Sequence, residues 1–381
     1  MRRVLFWLPV ALGVMFMLLL GYQRRQPALA GKNDFVTFYT AAKLAGTPDL
    51  YSRTANLAMN KALVGDDMNE MYIRPPFYAA ILKPLSLFPF LTAYALFTCL
   101  SLASYIWFVA RFMKECPALP FLAAISVPFT AGLLAGQDAS FMMAILGGSI
   151  LLTRKNKDFA AGLILSLCTY KFHLFLLIPV LLVMKKQWRI LGGGVCGAIA
   201  LTALGMVVNG FGSTGAWINA LRNPWINPDA GGMPNLHGLV AILNGSMRLE
   251  VILVSVVCLV FLWMTLRTDN YELLFAACLV CGLLVSFHSM IDDDLILFPV
   301  LILVLSSSNL VPLRGAIAMV LTPIPYFLVL AGPPYAAIMP VALLLMLAGM
   351  FWSAQTRISQ KTIKLVTSPY PADGGRDVVL R

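Results

Sequence analysis

Apolar residues run through this chain in long stretches without alternation, separated by short polar intervals. A half-buried strand alternates with a period of two, and a surface helix repeats at every third or fourth position. Unbroken runs instead suit helices surrounded by lipid or by other helices, and about 20 such residues cross a ~30 Å hydrocarbon core. The stretches predict spans near residues 4–20, 91–110, 118–135, 138–153, 159–170, 172–184, 190–208, 250–267, 271–287, 294–308, 314–331 and 336–353. The pair at 159–170 and 172–184 is too short for two full crossings at about 1.5 Å per residue. Tyr170-Lys171-Phe172-His173 lies between its halves. Charge at membrane depth is tolerated in a bundle interior or a wet cavity, so the two short helices are expected to meet at one.

Residues 21–75 are polar and mixed in sign, with helical patterns near 34–45 and 54–63 punctuated by Gly46-Thr47-Pro48. Pro75-Pro76 then opens an apolar stretch interrupted by Lys83-Pro84 and Pro89, which reads as a helix lying at the interface. Met1-Arg2-Arg3, the apolar run to Leu20 and Ala28-Leu29-Ala30 resemble a secretory signal. The run is long for a signal core and many spans follow it, so it is read as an uncleaved first span.

Composition agrees. The chain of 381 residues is 60% hydrophobic and only 12% charged, about half the charge of a soluble domain. Its mean hydropathy is +0.82. Backbone groups in lipid must be satisfied within the segment or a closed barrel, and the absence of alternation selects helices. The expected fold is an all-α polytopic bundle of about 10–12 transmembrane helices. A net charge of +11 would suggest nucleic acid in a soluble protein. Here the cations cluster between apolar runs, which is an orientation signal, so no nucleic-acid partner is expected and the bilayer is. Placing the N-terminus in the cytoplasm gathers Arg111, Lys114, Arg154, Lys155, Lys157, Lys185, Lys186, Arg189, Arg267 and Arg314 on the inner side, with the C-terminus. The outer side then holds Asp34, Asp49, Asp66, Asp67, Glu70, Asp138, Asp229, Glu250, Asp292-Asp293-Asp294 and the three histidines. The expected organisation is one membrane domain over 1–353, with extracytoplasmic segments at 21–90 and 209–249 and a disordered cytoplasmic tail at 354–381. Any chemistry is expected on the extracytoplasmic face of a cell membrane. Cys278 and Cys281 sit inside a span without polar neighbours, so packing is preferred to a redox pair.

Four segments carry candidate chemistry. Asp34 opens a helix pattern followed by Phe35, Phe38 and Tyr39. The plain reading is an N-cap; the sharper one is a general base beside an aromatic sugar pocket. Arg74, in Tyr72-Ile73-Arg74-Pro75-Pro76-Phe77-Tyr78, suits a phosphate clamp, or a side chain snorkelling to a lipid headgroup. Gly136-Gln137-Asp138 sits at an outer turn, where Asp138 again reads as a cap or as an acid. Lys171 and His173 read as interface anchors or as site residues.

Together these segments resemble glycosyltransferase family 87, the polyprenol-phosphate-mannose-dependent mannosyltransferases of the GT-C superfamily. The resemblance rests on Asp34-Phe35 after the first span, Leu50-Tyr51, Arg74-Pro75-Pro76 through Lys83-Pro84-Leu85, Gly136-Gln137, and Lys171 ahead of Lys185-Lys186-Gln187-Trp188-Arg189. It covers roughly residues 30–300, and the order of these loose motifs carries it. The chain departs from the pattern at Asp138, at Phe172 where a proline is usual, and at the three aspartates after His288. The resemblance implies a GT-C-like bundle. It also implies transfer of a hexose from a polyprenyl-phosphate sugar donor to a lipid or glycan acceptor, by inversion and without a cofactor. Asp34 would be the catalytic base, with Arg74, Lys171 and His173 on the donor phosphate. Phe38, Tyr39, Gln137, Asp138 and His288 would line the sugar and acceptor pocket. A monophosphate leaving group needs no metal. Asp292, Asp293 and Asp294 read either as cation ligands or as acids favouring a helix N-terminus. A transporter or flippase of a lipid-linked saccharide is the rival; it predicts internal repeats with matched broken helices, which are not visible in the sequence. A non-catalytic scaffold would not need an acid, aromatics and cations converging on one face.

Overall fold

The computed structural model describes residues 2–65, 70–222 and 230–367, and these contain helices and no strand. Asp66, Asp67 and Asp229 lie outside the described residues. A long first helix, α1 (Arg2–Leu29), leads into a layer of short ones: α2 (Phe35–Leu44), a 3-10 turn at Pro48–Tyr51, α3 (Arg53–Val64) and α4 (Pro76–Leu82). The bundle continues with α5 (Phe90–Phe112), α6 (Leu119–Ala124), α7 (Val127–Ala135), α8 (Ala139–Arg154), α9 (Asp158–Leu165), α10 (Ile178–Met184) and α11 (Trp188–Asn209). Two short helices, α12 (Ser213–Leu221) and α13 (Leu236–Ile242), precede α14 (Met247–Arg267) and α15 (Tyr271–Val285). The chain closes with α16 (Leu297–Ser307), α17 (Val311–Val320), α18 (Pro323–Leu330) and α19 (Ile338–Thr367).

Among the described residues, Phe90–Phe112, Trp188–Asn209, Met247–Arg267 and Tyr335–Gln355 are each long and apolar enough to cross a membrane. α17 and α18 add a fifth if taken as one span bent by 48°. Several expected spans are therefore shorter or broken. The stretch at 118–135 is two helices, because Ser126 caps the amide of Phe129 at 3.2 Å and Pro128 supplies no donor to a preceding turn. The bend between α17 and α18 falls at Thr322-Pro323, where the proline supplies no donor to the preceding turn. The last helix runs to Thr367, past the 353 boundary expected for the domain, and residues 368–381 lie outside the described residues.

The outer surface of the bundle is apolar. Val207 of α11 is 81% exposed and Leu266 of α14 is 74% exposed, which is stable only against lipid tails. α15 and α16 are instead buried on all sides, from Leu273 to Leu284 and from Leu297 to Val304, and form the core around which the other helices pack. Without a hydrophobic drive between helices in lipid, close approach depends on small residues. A Cβ on Gly162 of α9 would sit 1.9 Å from the Ile190 carbonyl oxygen of α11, and one on Gly193 would sit 2.0 Å from that of Phe159.

Polar groups sort to the two ends of the bundle. At one end Arg154 grips Glu272 through Nε at 2.6 Å and Glu115 through Nη1 at 2.7 Å, and also reaches Ser306. Lys185 meets Asp269 at the same end, at 3.0 Å. These contacts tie the ends of α5, α8, α10 and α16 to the starts of α15 and its preceding turn, the loops assigned to the cytoplasm by their cations. The other end carries Asp34, Arg74, Asp138, Lys171 and His288. A cysteine at exposed Lys61 or Asn219 is expected to react with an impermeant thiol reagent from outside the cell, and one at Lys157 only after permeabilisation. Labelling of Lys61 and Lys157 from the same side would overturn this orientation.

Candidate active site

The site is assembled by the turn that ends α7. Gly136 adopts φ of 67° and closes that helix, and a Cβ there would come within 2.6 Å of Asn33 Oδ1. Only glycine permits both the conformation and the approach. Asn33 fastens the α1–α2 corner to this turn: its Nδ2 donates to the Tyr94 hydroxyl at 2.9 Å and to the Leu134 carbonyl at 3.1 Å. The Asp34 amide donates to the Ala135 carbonyl at 3.0 Å. Asp34 and Gln137 are thereby set face to face, and Gln137 Nε2 donates to Asp34 Oδ2.

The cap reading fails for both aspartates. Neither the Asp34 nor the Asp138 side chain accepts a capping hydrogen bond from its helix. Asp34 is half-buried. Burial first, and then the like charge of Glu70, push the Asp34 carboxyl up to about 7 against the pull of Gln137 and Arg74. Asp34 thus carries the basicity of a group poised near neutral pH.

Arg74 is presented by a pinned segment. The Tyr51 hydroxyl donates to the Arg74 carbonyl at 2.8 Å, and Trp217 Nε1 donates to the Ile73 carbonyl at 3.0 Å. The guanidinium reaches Asp138 Oδ1 at 3.5 Å and lies 5.9 Å from the centre of the Tyr170 ring. Tyr170 stacks on Tyr78 with centroids 4.8 Å apart, and its hydroxyl donates to the Asp138 carbonyl at 2.9 Å.

Lys171 sits at the break between α9 and α10, as the non-helical residue (φ −116°, ψ 48°) inside a 3-10 stretch over Ser166–Leu174. Its ammonium meets Asp138 at 3.2 Å, Asp292 at 3.2 Å and Asp293 at 2.5 Å. It is 2% exposed. The other oxygen of Asp293 accepts the Met290 amide at 3.0 Å, while both Asp294 oxygens are buried without a hydrogen-bond partner among the described residues. The acidic run therefore divides, with two carboxylates on Lys171 and the third turned into the bundle. His173 follows on the same stretch; its ring lies 5.2 Å from that of Phe287 and 6.0 Å from that of His288, and its Nε2 has no hydrogen-bond partner among the described residues.

The structure thus gathers Asp34, Arg74, Gln137, Asp138, Lys171 and His173 at one end of the bundle, with His288 at the rim. It corrects two expectations. Phe38 and Tyr39 do not line a pocket: each is 3% exposed, packed with Phe97 and Phe90 respectively, and the Tyr39 hydroxyl donates to the Phe88 carbonyl at 2.7 Å. Lys171 is not free for a phosphate, because three carboxylates already surround it. Glu70, Tyr78 and Tyr170 were not singled out by the sequence. Tyr78 stood within the Arg74 motif, but nothing local marks Glu70 as a neighbour of Asp34.

A helical bundle with an apolar exterior and a charged centre at one end defines a multi-pass membrane protein built around an ionisable site. The model of glycosyltransferase family 87 matches residues 72–290, more than half of the chain, and the chain belongs to that family. Its activity is therefore glycosyl transfer. No curated protein and no solved structure matches the chain. The matched segment holds Arg74, Gln137, Asp138, Lys171, His173 and His288 but begins after Asp34, so the case for Asp34 rests on geometry.

The ion cluster makes a direct prediction. Lys171→Met leaves Asp138, Asp292 and Asp293 facing one another, and breaking a buried pair in this way costs about 3–5 kcal/mol. The detergent-solubilised variant is expected to melt well below the wild type, with Lys171→Arg recovering part of the loss. An unchanged melting temperature with a raised KM for the donor would return Lys171 to the phosphate.

Proposed function

We propose that the chain transfers a hexose, mannose by family resemblance, from a polyprenyl-phosphate sugar to an acceptor hydroxyl on the extracytoplasmic face, with Asp34 as general base. The observation that carries this reading is the contrast between the acids. Asp138 is fully buried between Arg74 and Lys171, and Asp292 and Asp293 share the same lysine. Asp34 is half-buried, is held by the neutral Gln137 and is pushed up to about 7. A base needs access to its proton and a basicity near the working pH, and Asp34 has both.

In the proposed step the acceptor oxygen attacks the anomeric carbon from the face opposite the phosphate. Its proton passes to Asp34. The bond from the anomeric carbon to the phosphate oxygen breaks, and its electron pair leaves with the polyprenyl phosphate, so the configuration inverts. Arg74 is the cation suited to that leaving group, since its contact with Asp138 is long and its side chain is 12% exposed. A planar guanidinium can pair with two phosphate oxygens at once. His173 packs against the half-exposed ring of Phe287 and lies 6.0 Å from the ring of His288, which puts both imidazoles on the side from which donor or acceptor would approach. Lys171 and Asp138 hold the frame.

Asp34→Asn keeps the shape and removes the proton acceptor. Turnover with a polyprenyl phosphosugar is expected to fall by about 10²–10⁴-fold with no change in melting temperature. Asp138→Asn is expected to lower the melting temperature, because it weakens two ion pairs. In the wild type a protonated Asp34 cannot act, so the rate should fall as pH drops through about 7. Near-normal turnover in Asp34→Asn would remove it from the mechanism.

A further inference from the structure

We infer that a groove beside Arg74 seats the phosphate-proximal isoprene units of the donor, and that the rest of the prenyl chain stays in the bilayer. The inference rests on the donor being a polyprenyl phosphosugar whose phosphate meets Arg74. The groove lies between the start of α4, the 3-10 stretch around Phe172, the second half of α11, and α12. Pro75 and Pro76, the residues directly after Arg74, line it together with Ala198 and Thr202 of α11 and the rings of Phe172 and Trp217. Those two rings meet edge to face, with centroids 5.6 Å apart. The prolines offer no N–H to the groove. Trp217 Nε1 is spent on the Ile73 carbonyl at 3.0 Å, and the Thr169 hydroxyl on the Ser166 carbonyl at 2.6 Å. The lining is left largely apolar.

The groove and the cation are built as one unit. The bond from Trp217 that shapes the groove also pins the segment that presents Arg74. Asn209 Nδ2 donates to the Pro76 carbonyl at 2.9 Å, and a Cβ on Gly205 would come within 2.9 Å of the Phe77 nitrogen, so α11 lies directly against α4. On the same helix Thr202 is exposed, as are Ile199 at 63% and Val207 at 81%. The groove therefore borders the lipid-facing surface of the bundle. In a prenyl phosphate the chain joins the phosphate through a single oxygen, so its first carbons lie directly beside whatever holds the phosphate. A cation followed at once by an apolar groove fits that order. The acyl chain of a lipid acceptor does not, because a headgroup separates it from the reacting hydroxyl. Size sets how much of the chain is read. The groove holds about 210 Å³, less than the ~300–1,000 Å³ of a pocket that encloses a drug-sized ligand, which leaves room for roughly one or two isoprene units.

The experiment fills the groove from α11 in the full-length protein, with Ala198→Leu and Thr202→Phe, and uses Ile199→Phe on the lipid face as control. Sugar transfer is measured with a two-isoprene and a long-chain prenyl phosphosugar, and a methyl phosphosugar is tested as a competitor. Both filling variants should raise donor KM by about tenfold or more, since even one misplaced methylene in an apolar pocket costs that much. The ratio to wild type should be the same for the two prenyl donors, while kcat, the melting temperature and the inhibition constant of the methyl compound stay unchanged. Ile199→Phe should behave as wild type. Normal donor KM in both filling variants, at unchanged melting temperature, sinks the inference. A rise for the long-chain donor alone would place a distal part of the chain in the groove and overturn the claim. Equal weakening of the methyl competitor would mean that the variants act by displacing Arg74, which also overturns it. A raised KM for a lipid acceptor with normal donor KM would give the groove to the acceptor. If the wild type transfers sugar from neither prenyl donor, the donor reading itself fails, and this inference with it.

Discussion

The ammonium of Lys171, out of contact with water and surrounded by three carboxylates, is the interaction on which the arrangement at this end of the bundle depends. Taking one such ion from water costs several kcal/mol even after relaxation, and the cost is recovered only when partners are close and their remaining atoms are bonded. Here the partners come from two places that share no local sequence: Asp138 from the α7–α8 turn, and Asp292 and Asp293 from the 3-10 turn before α16. Each closes its contact only when its own element is in register. The lysine therefore works less as a source of net stability than as a condition that the break between α9 and α10, the α7–α8 turn and the head of α16 must satisfy together. Gly132 is part of that condition, since its Cα leaves room for the Cβ of Asp292 at the distance of a tight contact, 3.0 Å from where a side chain would begin.

A membrane sets this requirement more severely than water would. Unpaired backbone cannot face lipid, so a helix may be broken only where protein or a wet cavity lies alongside. The broken elements here, the 3-10 stretch at Ser166–Leu174 and the 3-10 turn at Ile291–Ile296, are packed against one another through Lys171 and its acids. The continuous helices α5, α11 and α14 carry exposed apolar faces. Irregular backbone and buried charge thus coincide in this region, and lipid contact is left to helices that can sustain it. The opposite end of the bundle uses the same device with less at stake: Arg154 joins Glu115 and Glu272 in partly exposed positions, where screening by water makes each pair worth little.

Much of this was legible in the sequence because lipid imposes a coarse, long-range pattern. The boundaries of α2 and α3, the short pair flanking Lys171 and the sorting of cations to one end follow from apolar runs, Gly-Pro punctuation and Lys/Arg placement. What stayed hidden was pairing. Lys171 showed as a cation at depth, but its partners are remote along the chain, Asp292 and Asp293 by more than a hundred residues, and have no local signal. The three aspartates suggested a cation site or a helix dipole, and the cation turned out to be a side chain of the chain itself. Phe38 and Tyr39 looked like a pocket because aromatics beside an acid are common to pockets and cores alike. Burial, which only the packed structure supplies, decides between them.

The separation between Asp138 and Asp34 follows from what each role demands of a carboxylate. A group that fixes a frame should be ionised at every working pH, because losing its charge would release its partners. Asp138 lies between two cations, the surroundings such a group needs. A group that accepts a proton must be able to change charge without disturbing the frame, and its gain in basicity has to come from burial and like charge. Cations would abolish it. Gln137 is well suited to the boundary between the two. It lies next to Asp138 in sequence and donates to Asp34, so it holds the proposed base in place from the frame while adding no charge to it. A lysine or arginine at 137 would hold Asp34 at least as firmly and would hold it ionised, but as a weaker base. The neutral amide allows the same turn of chain to hold one carboxylate between two cations and to meet the other with an uncharged donor.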